Sequence, residues 1–332
     1  MLINRSKSIL TSDQEMEIRK HILVARNKPL VVAVMGQTGV GKSSLINALF
    51  GTNLKTNDVR PETKLPEKHV ERSNDGHELW FWDMPGIGES STADATYLNQ
   101  YRQKIAEADI ALWLCHADSR SVTLDVEAIH KILTDLPVEE QGTLFSKLTF
   151  VLSKADLVTA EPWILYKEND KALFETSSAT EALLEEKAAY FKESLITPYE
   201  NRFISRTFHN GKFNLQTGSL WSDKHFAYYR GVMSLSMRNQ LQSTYPVHDN
   251  VFKRLYQNSE VVYCSTRFRF NLAKLMRVII DKLGGEASMR FSNFTSKGSM
   301  SQVDWHKAQT FSNLIAFDVK TDKIVFNLAN VA

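Results

Sequence analysis

The nine residues "GQTGVGKSS", positions 36–44, constrain this chain more than any other stretch. They follow the continuous apolar run "PLVVAVMG" and lead into the helical text "KSSLINALFG", so strand, glycine-rich turn and helix come in that order. The spacing is G-x-x-x-x-G-K-[ST], with Gly36, Gly41, Lys42 and Ser43 at the fixed places. Glycines let backbone N–H groups converge on phosphate oxygens, and the start of the helix adds its positive pole. Gly36, Gln37, Thr38, Gly39, Val40, Gly41, Lys42, Ser43 and Ser44 are therefore the candidate phosphate-binding residues. Within that set Lys42 is placed to reach the β- and γ-phosphates and Ser43 to hold Mg²⁺. A phosphate cradle alone leaves the base unspecified.

The text after the turn sets the fold. A polar, aperiodic segment over 52–66 leads into a hairpin, "EKHVERSN" and "HELWFWDMPG", joined at Asp75-Gly76. Its second strand is apolar on both faces, as the buried middle of a sheet requires. Helix (95–107), strand ("DIALWLC"), helix (124–133) and strand ("KLTFVLSKAD") follow. Buried strands alternating with helices predict an α/β fold, a doubly wound and mostly parallel sheet. The alternation stops after Asp156. Residues 158–258 hold one helical stretch (180–194), an Asn210-Gly211 turn and aromatic-rich text without a period. It resumes at "EVVYCSTRFRFNLAKLMRVIIDKL" as strand, loop and helix, and "LIAFDVKTDKIVFNLA" closes the chain as a hairpin. The expected organisation is an N-terminal helix in 1–28, a nucleotide domain over 29–157 and 259–283, an insertion over 158–258, and a C-terminal β extension over 284–332.

Asp83, in "DMPG", falls at the C-terminal end of its strand, one strand from the cradle, where a carboxylate can meet Mg²⁺. Gly86 offers an unobstructed N–H to a γ-phosphate. The stretch "VLSKAD" is one residue from the guanine-reading pattern Asn-Lys-x-Asp. Asp156 can accept from both N1–H and the exocyclic amine of guanine, whereas adenine has no donor at N1 and leaves the carboxylate unpaired. Lys154 can lay its methylene stem across the base. Ser153 replaces the asparagine and is shorter, so one hydrogen bond worth about 0.5–1.5 kcal/mol is either lost or carried by water, which weakens affinity without reversing the preference.

Charge bears on partners. Residues 1–200 hold 22 basic and 30 acidic side chains, while residues 201–307 hold 16 and 6. The basic balance of 201–307 suits RNA or another anionic surface, and it equally suits a solvated face. No apolar run approaches the ~18 residues of a membrane span, and the N-terminus has no signal-peptide core, so a cytoplasmic location is expected. Cys115 and Cys264 lie in apolar, strand-like runs and read as buried thiols.

"GQTGVGKSSLINALFG", "DMPGIG" and "SKAD", in that order, with "VVYCST" as a loose last match, resemble the Era-like branch of the TRAFAC P-loop GTPases. The nearest resemblance is to the "50S ribosome-binding GTPase" type of domain, and the second is to immunity-related and dynamin-like GTPases, which also depart from asparagine at Ser153. It covers about residues 30–156 and 260–283. It implies GTP and GDP as ligands, Mg²⁺ as the metal, and GTP hydrolysis. It also implies Ser265 and Thr266 as the last base-contacting loop, and a loop threonine on the metal, for which Thr63 is the first candidate and Thr56 the second. Catalysis would rest on Lys42, Thr63 and Gly86. Ile87 stands where Ras-like proteins carry the glutamine that orients water, so hydrolysis by the chain alone is expected to be slow. Gly39 stands where potassium-activated relatives carry asparagine, so potassium dependence is not expected. Three roles stay open: a switch on RNA or the ribosome, a GTPase that dimerises through its nucleotide face at a membrane or elsewhere, and a binding module with little catalysis.

Overall fold

The computed structural model describes residues 27–50, 52, 54, 65–72, 76–87, 91–159, 163–168, 171–203, 205–207, 220–222, 226–229, 232–244, 246, 249–283, 287, 290, 315–318 and 323–327, together with Met16 and Lys20. The N-terminal helix expected in 1–28 lies outside these residues apart from Met16 and Lys20, which are helical, and residues 27 and 28, which are not. Thr56 and Thr63 also lie outside them.

The chain opens with strand β1 (Leu30–Gly36) and helix α1 (Lys42–Phe50), followed by the hairpin of β2 (Glu67–Arg72) and β3 (Glu78–Asp83). Then come α2 (Ser91–Glu107), β4 (Ile110–His116), α3 (Thr123–Thr134), α4 (Val138–Lys147) and β5 (Leu148–Ser153). The next segment holds a second hairpin, β6 (Ile164–Glu168) with β7 (Lys171–Glu175), and α5 (Ser178–Leu195). Short strands β8 (Ser205–Thr207), β9 (Leu220–Ser222) and β10 (Phe226–Tyr229) precede α6 (Leu235–Thr244) and α7 (Asp249–Gln257). After β11 (Val262–Tyr263) and α8 (Leu272–Lys282), the chain ends in β12 (Ile315–Asp318) and β13 (Lys323–Asn327).

The main sheet runs β11-β5-β4-β1-β3-β2. All its pairings are parallel except the β2–β3 edge. Strict alternation along the strands sorts side chains into two layers. Ala33, Met35, Trp113, Phe150 and Leu152 face a core closed by α2, α3, α4 and α5, through Tyr101, Ile129, Phe145 and Phe191. Val32, Val34, Leu112 and Val151 face the other way, onto Leu45 and Ile46 of α1 and Leu275 and Ile279 of α8. Helices thus cover both faces, as buried parallel strands demand. A ligand crevice in such a sheet opens at the C-terminal ends of the strands, beside the point where strand order reverses. Here that point is β1, flanked by β3 on one side and β4 on the other.

Three differences from the sequence reading matter. Helix α4 is unannounced, because Gly142 and a polar first turn blur its period, yet Leu144 and Phe145 bury one face. Residues 158–258 hold two further helices, each under three turns: α6 buries none of its side chains, and α7 buries Phe252 and Leu255. The strands of that segment and of the C-terminal segment also join: β13-β12-β10-β9-β8 form one sheet, with Ala227 of β10 paired antiparallel to Phe317 of β12. Among the described residues no helix is long and apolar enough to cross a membrane.

Candidate nucleotide site

The turn between β1 and α1 is built by backbone geometry. Gly36 has φ +134°, and a Cβ there would sit 2.1 Å from the Leu114 carbonyl oxygen of the neighbouring strand. Only glycine fits this crossing. Gly41 has φ +90° and lies under the Lys154 side chain, whose Cε would be 3.7 Å from an added Cβ. Lys42 is buried, and its ammonium donates to the carbonyls of Gly36 (3.4 Å) and Gln37 (3.1 Å). It therefore closes over the loop it belongs to, with Ser43 and Ser44 following in the first turn of α1.

Register brings the carboxylate. Val34 of β1 pairs with Asp83 of β3, which sets Asp83 beside the start of α1. The Ser43 hydroxyl donates to Asp83 Oδ2 at 2.7 Å, while Oδ1 is buried without a partner among the described residues. Burial pushes the Asp83 carboxyl above its ordinary range, against the pull of the Ser43 hydroxyl and the Lys42 ammonium. A buried oxygen without a donor costs about 1–3 kcal/mol, so the site is incomplete by itself.

Past Asp83 the chain keeps pairing with the glycine-rich turn. Met84 N–H donates to Val34 O (3.2 Å), Ile87 N–H to Gly36 O (3.4 Å), and Thr38 N–H to Ile87 O (3.3 Å). Gly86 packs so closely on Thr38 that an added Cβ would meet its Cα and N at 2.6 Å. The Ile87 side chain is buried in the core that also holds Tyr97 and Tyr101, so it presents no polar group to the crevice. Tyr101 ties both loops from behind: its hydroxyl donates to the carbonyls of Pro85 and Gly36.

The far side of the crevice is formed by β5 and β11. Ser153 is buried, and its hydroxyl points into the phosphate turn, 2.6 Å from Val40 O and 3.1 Å from Cys115 O. This serine fastens β5 to the turn. Lys154 adopts a left-handed backbone conformation (φ 55°), which swings its side chain back over Gly41. Strand β11 lies parallel to β5 in the register Val262–Val151. That alignment puts Ser265 beside Asp156: the serine hydroxyl donates to Asp156 Oδ1 at 2.6 Å. Thr266 is half-buried in the turn that follows.

Two groups were missed in the sequence. Asp125, at the start of α3, is buried, accepting from Gln37 Nε2 (2.7 Å) and Trp113 Nε1 (2.8 Å). Burial raises its pKa, opposed by those two donors and by the Cys115 thiol. Asn47 on α1 holds the chain beyond the helix, with its side-chain oxygen accepting from Thr52 Oγ1 and Leu54 N–H, both at 2.7 Å, and its amide donating to Leu54 O. No local pattern marks either residue.

A parallel sheet with a glycine-rich turn at β1, a carboxylate at the end of β3 and an Asp–Ser pair across β5 and β11 defines a P-loop GTPase fold. Residues 31–147 match the family described as "50S ribosome-binding GTPase". The likeness belongs to this segment, about a third of the chain. The uncharacterized protein YkfA of Escherichia coli is 37% identical over 134 residues, which is 40% of this chain and 43% of its own length. GTPase Era of Deinococcus deserti is 31% identical over 84 residues, 25% of this chain and 27% of its own length. A crystal structure of Aquifex aeolicus Era bound to GDP and AlF4⁻ superposes with a TM-score of 0.38 and 17% identity, covering 76% of this chain and 56% of that one. The chain spans less than half the length of the curated relatives it matches.

Proposed function

We propose that the protein is a Mg²⁺-dependent GTPase that acts as a nucleotide-controlled switch on a macromolecular partner. The observation that carries this reading is the meeting of two pairs at one sheet edge, Ser43 with Asp83 and Asp156 with Ser265. The first suits a hard cation: a serine oxygen and a buried carboxylate with one open oxygen, leaving other positions to phosphates and water. When bound, Mg²⁺ would neutralise charge on the β- and γ-phosphates. The second pair suits guanine. Asp156 takes both base donors, and the Ser265 hydroxyl anchors Oδ1, which keeps a second lone pair, so that the carboxylate is held in one orientation.

The chain's own residues then divide the work. The turn amides and Lys42 bind and orient the phosphates. Gly86 must leave Thr38 before its N–H can serve a γ-phosphate, so the contact between these loops is what the triphosphate displaces. Ile87 cannot orient water. An outside group must therefore assist, and turnover by the isolated chain is slow. Among partners, RNA or the ribosome is favoured by the basic balance of residues 201–307 and by the description of the matched family. Phe268 and Phe270 do not add to that, because both rings are taken up by contacts inside the protein.

The test is competitive titration of the full chain with GTP, GDP and ATP in Mg²⁺. Guanine nucleotides should bind at least about a hundredfold more tightly, because ATP leaves the Asp156 carboxylate unpaired. Equal affinity for ATP ends the proposal. Filter binding to RNA across a salt series tests the partner: a slope near zero rejects RNA.

A further inference from the structure

The hairpin β6–β7, which leaves the domain directly after the base-reading Asp156, returns to touch the last loop of the base site. Phe174 stacks on Phe268 with centroids 4.4 Å apart and planes at 22°. Trp163 packs on Phe268 at 5.1 Å and meets Phe270 edge-on at 4.9 Å. The loop they grip is narrow: Ser265 and Phe270 exchange both backbone hydrogen bonds, at 3.1 and 3.0 Å. It is also strained at Arg269 (φ 53°), which takes a left-handed conformation that most non-glycine residues resist, while Asn271 (φ 56°) takes the same conformation, which asparagine tolerates. A loop of this kind holds its shape only where surrounding contacts determine it.

The grip reaches the base site through one hydroxyl. Ser265 Oγ accepts the Phe268 N–H at 3.2 Å and donates its proton to Asp156 Oδ1 at 2.6 Å. With a donor fixed on one side, the hydroxyl proton is directed to the carboxylate on the other. Phe268 is thus linked by its ring to the hairpin and by its N–H to the residue that presents Asp156.

We propose that the β6–β7 hairpin is a positioning element of the base site: Trp163 and Phe174 hold Phe268, Phe268 orients the Ser265 hydroxyl, and that hydroxyl sets Asp156 against guanine. This rests on the guanine reading of the site given above. It follows that a partner which displaces the hairpin loosens the base and speeds nucleotide release, with no contact to the phosphates. The segment inserted after Asp156 then acts on nucleotide exchange through a defined aromatic contact.

The experiment compares GDP with IDP, which lacks the exocyclic amine, on the full chain and its Trp163→Ala, Phe174→Ala and Phe174→Leu variants. Losing one or two aromatic contacts is expected to weaken GDP by about tenfold. The decisive readout is the ratio of GDP to IDP affinity, which should fall toward one in the alanine variants. Trp163→Phe should keep the wild-type ratio, because Trp163 Nε1 meets no acceptor among the described residues and only its ring is needed. Phe174→Leu keeps apolar bulk, so it remains informative if an alanine variant fails to fold, and an intermediate ratio is expected. A ratio unchanged from wild type in folded variants, even with weaker binding of both nucleotides, overturns the proposal, since the hairpin would then support the fold alone. A wild-type chain with no preference for GDP over IDP and ATP overturns the guanine reading itself, and this inference with it.

Discussion

Gly36 and Gly39 sit in the same turn and differ in what a methyl group would meet. At Gly36 it would strike the Leu114 carbonyl at 2.1 Å, whereas at Gly39 (φ +78°) it would meet nothing within 4 Å. Gly39→Ala therefore carries only backbone strain, about 1 kcal/mol. Gly36→Ala adds a clash with a rigid neighbouring strand, and the expected loss is about 3 kcal/mol. Urea midpoints check this, and equal losses would mean that β4 moves aside. Asp125 makes a different case. Asp125→Ala leaves the buried Trp113 N–H and the half-buried Gln37 amide without this acceptor, with an expected cost of about 2–3 kcal/mol and weaker nucleotide binding, while Asp125→Asn should lose less. The glycines were legible because a spacing rule names them. Asp125 was not, since 88 residues separate it from Gln37 and only the sheet brings them together.

At the scale of elements, legibility followed the length of the repeat. Strands β1, β3, β4 and β5 could be read because each is a run rich in aliphatic and aromatic residues, and the mostly charged β2 because the Asp75-Gly76 turn marks a hairpin. Helix α5 could be read from its cap: the Ser177 hydroxyl accepts the Thr180 N–H, and Ser177→Ala should cost about 1 kcal/mol in thermal or urea denaturation. The two-residue strand β11 was legible through the apolar run "VVYC" and the strand, loop and helix order that it opens. Helix α8 carries a residue whose role no periodicity reveals. Lys282, in its last turn, is buried and donates to Leu148 O and Thr149 Oγ1 on β5. Burial pushes its pKa down from 10.5 to about 7. The folded state therefore binds fewer protons than the unfolded chain between these two values, and this group's contribution to stability rises with pH across that window. Below about pH 7 the folded lysine is also protonated, and the slope ends. Lys282→Met should flatten stability between pH 7 and 10 relative to wild type, as measured by urea midpoints at several pH values. An unchanged slope would show that the ammonium stays charged on its two acceptors.

For the whole molecule, the chain crosses between two sheets. The nucleotide sheet is completed by β11 after more than a hundred residues of other structure, and strands within those residues pair with the C-terminal hairpin. The sequence foretold the hairpin of β12 and β13 but not its partner, because antiparallel pairing over such a separation leaves no local pattern. One consequence can be tested by truncation. Ending the chain after Arg290 removes β12 and β13, keeps the Arg290 bonds to Pro29 and Asp109, and leaves β10 paired with β9 alone, with Phe226, Ala227 and Tyr228 losing their ladder to β12. Exposed edges of this kind open locally and recruit other chains. Limited proteolysis should therefore cut the truncated chain between residues 204 and 231 faster than the full chain. Its GDP affinity should hold, because β1, β3, β5, β11 and the loops that carry the site belong to the other sheet. Loss of GDP binding together with faster cleavage would mean that the two sheets fold as one unit. Retained binding with faster cleavage would mean that the C-terminal hairpin stabilises the inserted segment, and that a partner able to compete for β10 can reshape that segment while the nucleotide stays bound.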